Sequence, residues 1–212
     1  MPYKLAIFDL DGTLADSFPW FLRHVNGVAD RFGFRRIADG DVEPLRRAGS
    51  REILKRQDVP RWKLPMIARH MRRLKAAHVG DIALFPGAGT MLRALADGGV
   101  RLALVSSDHE ANARRQLGEA NTALFSDFAC GASIFGKAAK FRCVLRRAGV
   151  DAAQAIAIGD EVRDIEAARA AGIACAAVTW GYAAPEALRA QQPDIVFDQM
   201  EQIAAALIVK QA

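Results

Sequence analysis

The chain has 212 residues, a formal net charge of +5 and 51% hydrophobic residues. That length suits one domain with an insertion or two small domains, and the composition excludes a disordered or low-complexity protein. No apolar run is long enough to span a bilayer, and no charged stretch followed by an apolar signal segment opens the chain, so a cytoplasmic protein without a membrane partner is expected.

The first element is an apolar strand, Leu5-Ala6-Ile7, running into Phe8-Asp9-Leu10-Asp11-Gly12-Thr13-Leu14. Residues two apart on a strand share a face, so Asp9 and Asp11 converge on one ligand if the chain stays extended that far. Two neighbouring carboxylates in an apolar stretch call for positive charge between them. Gly12 and Thr13 then turn the chain. Residues 17–84 read as mostly helical and basic, with the positive charge concentrated between Arg35 and Lys75. That region lacks aromatic interleaving or a binding motif, so a solvated face or a basic lid for an anionic substrate is expected rather than a nucleic-acid partner.

From Phe85 onward helices and strands alternate. A helix follows Gly87-Ala88-Gly89 and stops at Gly98-Gly99. Val100–Val105 is a strand ending in Ser106-Ser107-Asp108, and a helix covers about 109–118. A short strand lies near Asp127–Cys130, and 138–148 is helical. Ala155–Ile158 is a strand ending in Gly159-Asp160, and a helix spans 162–171. Ile173–Val178 and Asp194–Phe197 are strands, and 199–208 is the last helix. This alternation predicts an α/β, Rossmann-like parallel sheet with helices on both faces. Ligands bind such sheets at the carboxyl ends of the strands, where the polar clusters of this chain fall. Residues 17–84 then form an inserted α-helical cap domain on a core of 1–16 plus 85–212. Cys130, Cys143 and Cys175 have no metal-ligand spacing and read as core thiols, and the four histidines form no cluster.

The string from Asp9 to Thr13, with its upstream strand, resembles the first motif of the haloacid dehalogenase-like hydrolase superfamily, Asp-x-Asp-Gly-Thr/Val. Ser106, Lys137 and Gly159-Asp160-Glu161-Val162-Arg163-Asp164 are similar to its second, third and fourth motifs, in the same order. Phe85-Pro86-Gly87 and Trp180-Gly181-Tyr182 look like phosphoglycolate phosphatase relatives, although plain packing is the simpler role for Trp180 and Tyr182.

The resemblance implies a phosphatase. Asp9 would be the nucleophile and Asp11 the general acid/base; the dehalogenase branch lacks an acid at Asp11's position, because halide leaves without a proton. Ser106 would donate to a phosphate oxygen, with Ser107 one step late. Lys137 would bind the phosphoryl group, with Lys140 competing for that role and Ala138 standing where relatives often have Pro. Gly12 and Thr13 would border the substrate. Magnesium is the implied metal, held by Asp9, Asp11 through its backbone carbonyl, and Asp160, with Asp164 completing or supporting the set; hard oxygen donors suit it. Glu161 is peripheral to the pattern. In the cap, Arg47 and Arg51 share a helical face, and Arg47 is the candidate for a substrate anion. The expected partner is a small phosphorylated metabolite, phosphoglycolate or a sugar phosphate. A phosphomutase, or a non-catalytic binding protein on this fold, would carry the same core residues.

Overall fold

Residues 3–131 and 136–208 are described in a computed structural model of the chain. Six strands form one parallel sheet: β1 (Leu5–Phe8), β2 (Arg101–Val105), β3 (Phe125–Ala129), β4 (Ala155–Gly159), β5 (Ala174–Val178) and β6 (Ile195–Phe197). Their spatial order is β3-β2-β1-β4-β5-β6. Phe8 pairs with Leu104 on one side and with Ile158 on the other. The chain moves outward from β1 through β2 and β3, then crosses back to β4 on β1's other side. The order of strands reverses beside β1, and in open parallel sheets that crevice is where ligands bind.

Four helices lie between β1 and the next core helix: α1 (Phe18–Phe32), α2 (Val42–Arg46), α3 (Ser50–Arg56) and α4 (Leu64–Ala77). The rest flank the sheet: α5 (Ala88–Asp97), α6 (Glu110–Thr122), α7 (Lys137–Ala148), α8 (Val162–Ala171), α9 (Pro185–Ala190) and α10 (Glu201–Leu207). Strand alternation sorts the side chains into two cores. Leu5, Ile7, Ala103 and Val105 pack with Phe141 and Val144 of α7 and Ile165 of α8. Ala6, Phe8, Leu102 and Leu104 pack with Leu92 and Leu95 of α5 and Ile203 of α10. Because both faces are covered, β1 and β4 are apolar along their whole length.

The α/β architecture expected from the alternation is the one observed. α8 has the bounds read from the sequence. α9 was not anticipated; it is six residues long and follows Ala184 at Pro185, which suits the first helical position. α6 runs past 118, but Gly118 sits at φ 74° and ψ 164°, so the helix is broken there. Cys130, Cys143 and Cys175 are free, and burial pushes the Cys130 thiol up to about 12, which makes it a poor nucleophile. His24 and His78, far apart in sequence, do come together, with ring centroids 4.9 Å apart. Among the described residues no helix is long and apolar enough to cross a membrane.

Candidate active site

Asp9 follows the last residue of β1 and is almost fully buried. Strand parity points it the same way as Ile7, toward α7 and α8. Lys137, the first residue of α7, reaches it: Nζ lies 2.6 Å from Asp9 Oδ2 and 2.5 Å from Asp164 Oδ1. Lys140, one turn into the helix, donates instead to the carbonyl of Cys130 at 2.9 Å. Asp160, at the end of β4, is fully buried. It accepts from Thr13 Oγ1 at 2.7 Å and from the Tyr182 backbone N–H at 2.8 Å. Carboxylate oxygens of Asp9, Asp160 and Asp164 lie within 4.8 Å of one another.

Close approach is what the glycines here provide. A Cβ on Gly12, whose φ is +78°, would lie 2.1 Å from Asp160 Oδ2, and one on Gly181 would lie 2.3 Å from the same oxygen. Ser106 directly follows β2; it is fully buried and its Oγ accepts the N–H of Asp108 at 3.0 Å, leaving its hydroxyl proton to donate. Ser107 is less buried, and its carbonyl accepts from Arg72 of α4 at 3.3 Å.

Asp11 does not converge with Asp9. β1 ends at Phe8, and the N–H groups of Thr13, Leu14 and Ala15 all fold back onto the carbonyl of Leu10. That tight loop turns the Asp11 carboxylate toward the inserted helices, so it is not one of the three clustered carboxylates. Its partner is Lys75 of α4, 2.6 Å away, and Lys75 also lies 3.0 Å from Asp108. Lys75 was not singled out by sequence reasoning. Its only signal is a lysine on the inward side of an amphipathic helix, and what it faces depends on how the helix docks.

The family model for haloacid dehalogenase-like hydrolases matches residues 6–178. The chain belongs to this family. It is similar to a phosphoglycolate phosphatase of Synechococcus elongatus, with 33% identity covering 90% of this chain and 91% of that one. A phosphoglycolate phosphatase of Agrobacterium fabrum shows 30% identity over 97% of this chain and 93% of its own. In fold it resembles a haloacid dehalogenase-like hydrolase of Streptococcus pneumoniae, with a TM-score of 0.75 at 20% identity over 96% of this chain and 98% of that one. By this match and these relatives the chain is a phosphatase of the haloacid dehalogenase-like type.

The electrostatics fit a divalent cation in a haloacid dehalogenase-like centre. Burial pushes Asp9 up to about 6, against the pull of Lys137. Burial, Glu161, Asp9 and Asp164 together push Asp160 well above the usual carboxylate range. Lys137 pays a burial cost too, yet Asp164 and Asp9 hold it firmly protonated. The cluster is therefore short of positive charge, and its donors are hard oxygens. Around Asp11 the balance is the reverse. Burial raises its pKa, but the ammonium of Lys75 outweighs that and holds it below the ordinary value.

Glu161 is more than peripheral. It caps α8 in a reciprocal capping box with Asp164, pairs with the half-buried Arg163, and accepts from Ser50 of α3 at 3.3 Å. Tyr182 and Trp180 also exceed plain packing. Trp180 Nε1 donates to the carbonyl of Thr13 at 3.1 Å, and the Tyr182 hydroxyl lies 3.0 Å from Ser17 Oγ. Arg47 is not brought to the site. It is exposed and pairs with Glu186 at 2.6 Å, since neighbouring helical positions point about 100° apart and only one of the two arginines can turn inward. Arg46 is the one turned in, donating to the carbonyls of Tyr182 at 3.0 Å and Gly181 at 3.1 Å.

Proposed function

We propose that the chain hydrolyses a small phosphate monoester through a phosphorylated Asp9, on a core of residues 1–16 plus 85–212 beneath a cap of 17–84. The observation that carries this reading is the buried Asp9 carboxylate at the β1 end, with Lys137 on one side and Asp160 and Asp164 within 4.8 Å. Asp9 attacks phosphorus as the bond to the ester oxygen breaks, and Asp11 in its protonated form delivers a proton to the departing alkoxide. Water then attacks the acyl phosphate, gives its proton to Asp11, and releases inorganic phosphate as the bond to Asp9 breaks. Lys137 holds the phosphoryl oxygens and keeps Asp9 oriented, while Ser106 donates its hydroxyl to a third oxygen. Thr13 fixes Asp160, and Gly12 leaves room for it.

Magnesium is the metal this reading assigns to Asp9, Asp160 and Asp164, with the backbone carbonyl of Asp11; bound there it would offset carboxylate charge and polarise the phosphoryl group. The ion pair with Lys75 keeps Asp11 ionised, which suits the water step. For the acid step Lys75 has to release it. Phosphoglycolate, the substrate in the names of the relatives above, is the first ester to test. Phosphate release should require magnesium, stop with chelator, and be absent in Asp9→Asn. Release that persists in Asp9→Asn would overturn the assignment, and formation of an isomeric phosphate ester without release would point to a phosphomutase.

A further inference from the structure

The inserted helices enclose a cavity of about 630 Å³ that opens onto the same end of the sheet. Its walls are apolar, among them Val25 and Val28 of α1, Leu45 of α2, Ile53 of α3, and Ile67 and Met71 of α4. Its floor borders the site through Asp11, Lys75, Arg163 and Tyr182, while Asp9, Lys137 and Asp160 lie behind that floor rather than in the lining. Protein interiors rarely hold voids much larger than a water, whose share of liquid volume is about 30 Å³. This one is about twenty times that share, too large for a packing defect, and within the range of roughly 300–1,000 Å³ seen for organic-ligand pockets. A two-carbon acid such as glycolate would leave most of it empty and its aliphatic walls wet.

Two buried polar atoms on the wall mark it as a binding chamber. Trp20 and Gln57 are each 4% exposed. Trp20 Nε1 and Gln57 Oε1 have no hydrogen-bond partner among the described residues, and both residues line the cavity. An unsatisfied buried donor and acceptor are costly unless a ligand meets them.

Building on the phosphatase reading, we infer that the substrate is an amphipathic phosphate monoester. Its phosphate sits at Asp9 and its extended alkyl or aromatic body fills the chamber between α1, α3 and α4. A polar group on that body would accept from Trp20 and donate to Gln57. Lys75 and Arg163 at the floor are cations available at the boundary between the charged head and the apolar body.

The test is a series of straight-chain alkyl phosphates from ethyl to decyl, kept below micelle formation and compared with phosphoglycolate by kcat/KM. Each methylene taken into the chamber should raise kcat/KM about fourfold until the space is full, the value expected from burial of one CH2. Ala68→Phe, which projects a ring from α4 into the chamber, should cut the decyl-to-ethyl ratio at least tenfold. Calorimetry with decylphosphonate and methylphosphonate reads the chamber without turnover, and decylphosphonate should bind more tightly. Esters turned over with no chain-length gradient would overturn this inference and leave the phosphatase reading intact. If no ester is turned over, the phosphatase reading fails. The chamber inference then stands or falls on whether decylphosphonate binds more tightly than methylphosphonate.

Discussion

Leu104 in β2 and Ile67 in α4 are both aliphatic and both face the interior, yet Leu104 is fully buried and Ile67 only half-buried. The difference holds for the regions around them. Every residue of β1 and β4 is buried between two helical layers. In the inserted segment, α3 has no buried residue and the one buried residue of α4 is Lys75. The sheet holds Asp9, Asp160 and Ser106 at strand ends that cannot shift without disturbing two cores. The insertion presents an unfilled apolar space over them. On the function proposed above, the bond-breaking groups would sit on rigid elements, and the part that would meet the variable portion of a substrate is loosely packed.

The largest effect expected from breaking this contrast is at Asp9. Asn keeps the shape but cannot form the acyl phosphate, so phosphate release should fall by at least about 10⁴-fold. Retention of a tenth of the activity would move the chemistry off the β1 end. Stability should divide along the same line. Leu104→Ala should cost about 3 kcal/mol in urea unfolding, and Ile67→Ala, whose side chain already borders open space, less than about 1 kcal/mol. Equal costs would mean that the insertion is packed as tightly as the sheet.

Lys75→Met sharpens the comparison at the seam. Lys75 is 5% exposed and ties α4 to Asp11 and Asp108. Breaking a buried pair usually costs about 3–5 kcal/mol, and the partial exposure of Asp11 lowers the expectation to about 2 kcal/mol. The loss should be local: hydrogen exchange in α4 should quicken while β1 and β2 keep their protection. Unchanged protection in α4 would show that something else seats the insertion.

The raised pKa of Asp9 gives a pH prediction with a definite sign. The folded chain holds this proton up to about 6, above the ordinary carboxylate value. Asp9 thus contributes stability to the metal-free chain that is present at low pH and lost as pH rises through about 6. A cation binds the ionised form and reverses that loss. Magnesium should therefore raise the melting temperature at about pH 8 and do so progressively less toward about pH 5. An equal rise at both would remove Asp9 from the cation's ligands.

The sheet was legible because most strands are short apolar runs, three of them followed by polar clusters, and that pattern pointed to Asp9, Ser106 and Asp160, whereas Lys137 and Asp164 were picked out by their resemblance to the family's motifs. What stayed hidden depends on how elements dock rather than on what they are. Lys75 looks like any other lysine of a basic helix until α4 is laid over the Asp11 loop. Trp180 and Tyr182 look like packing until the Tyr182 backbone N–H is seen on Asp160. Asp11 would join Asp9 only if the chain stayed extended, and the ladder ends at Asp9, after which the loop folds back on Leu10. Arg46 and Arg47 are adjacent in sequence, and α2 alone does not say which one turns inward.

That pair supplies the smallest expected effect. Arg46 is mostly buried, lies over the Phe18 ring at 5.2 Å, and holds the carbonyls of Gly181 and Tyr182, the segment whose N–H bonds Asp160. Arg47 meets Glu186 with both side chains more than half exposed, a geometry in which solvent and salt screen most of the attraction. Arg46→Ala should raise the magnesium concentration needed for half-maximal activity several-fold, because it loosens the clamp on Asp160 without removing a ligand. Arg47→Ala should leave that concentration and the melting temperature where they are. If the two substitutions shifted the magnesium requirement equally, Arg46 would not be acting through the 181–182 segment, and the insertion would be coupled to the carboxylate cluster by a route other than Tyr182.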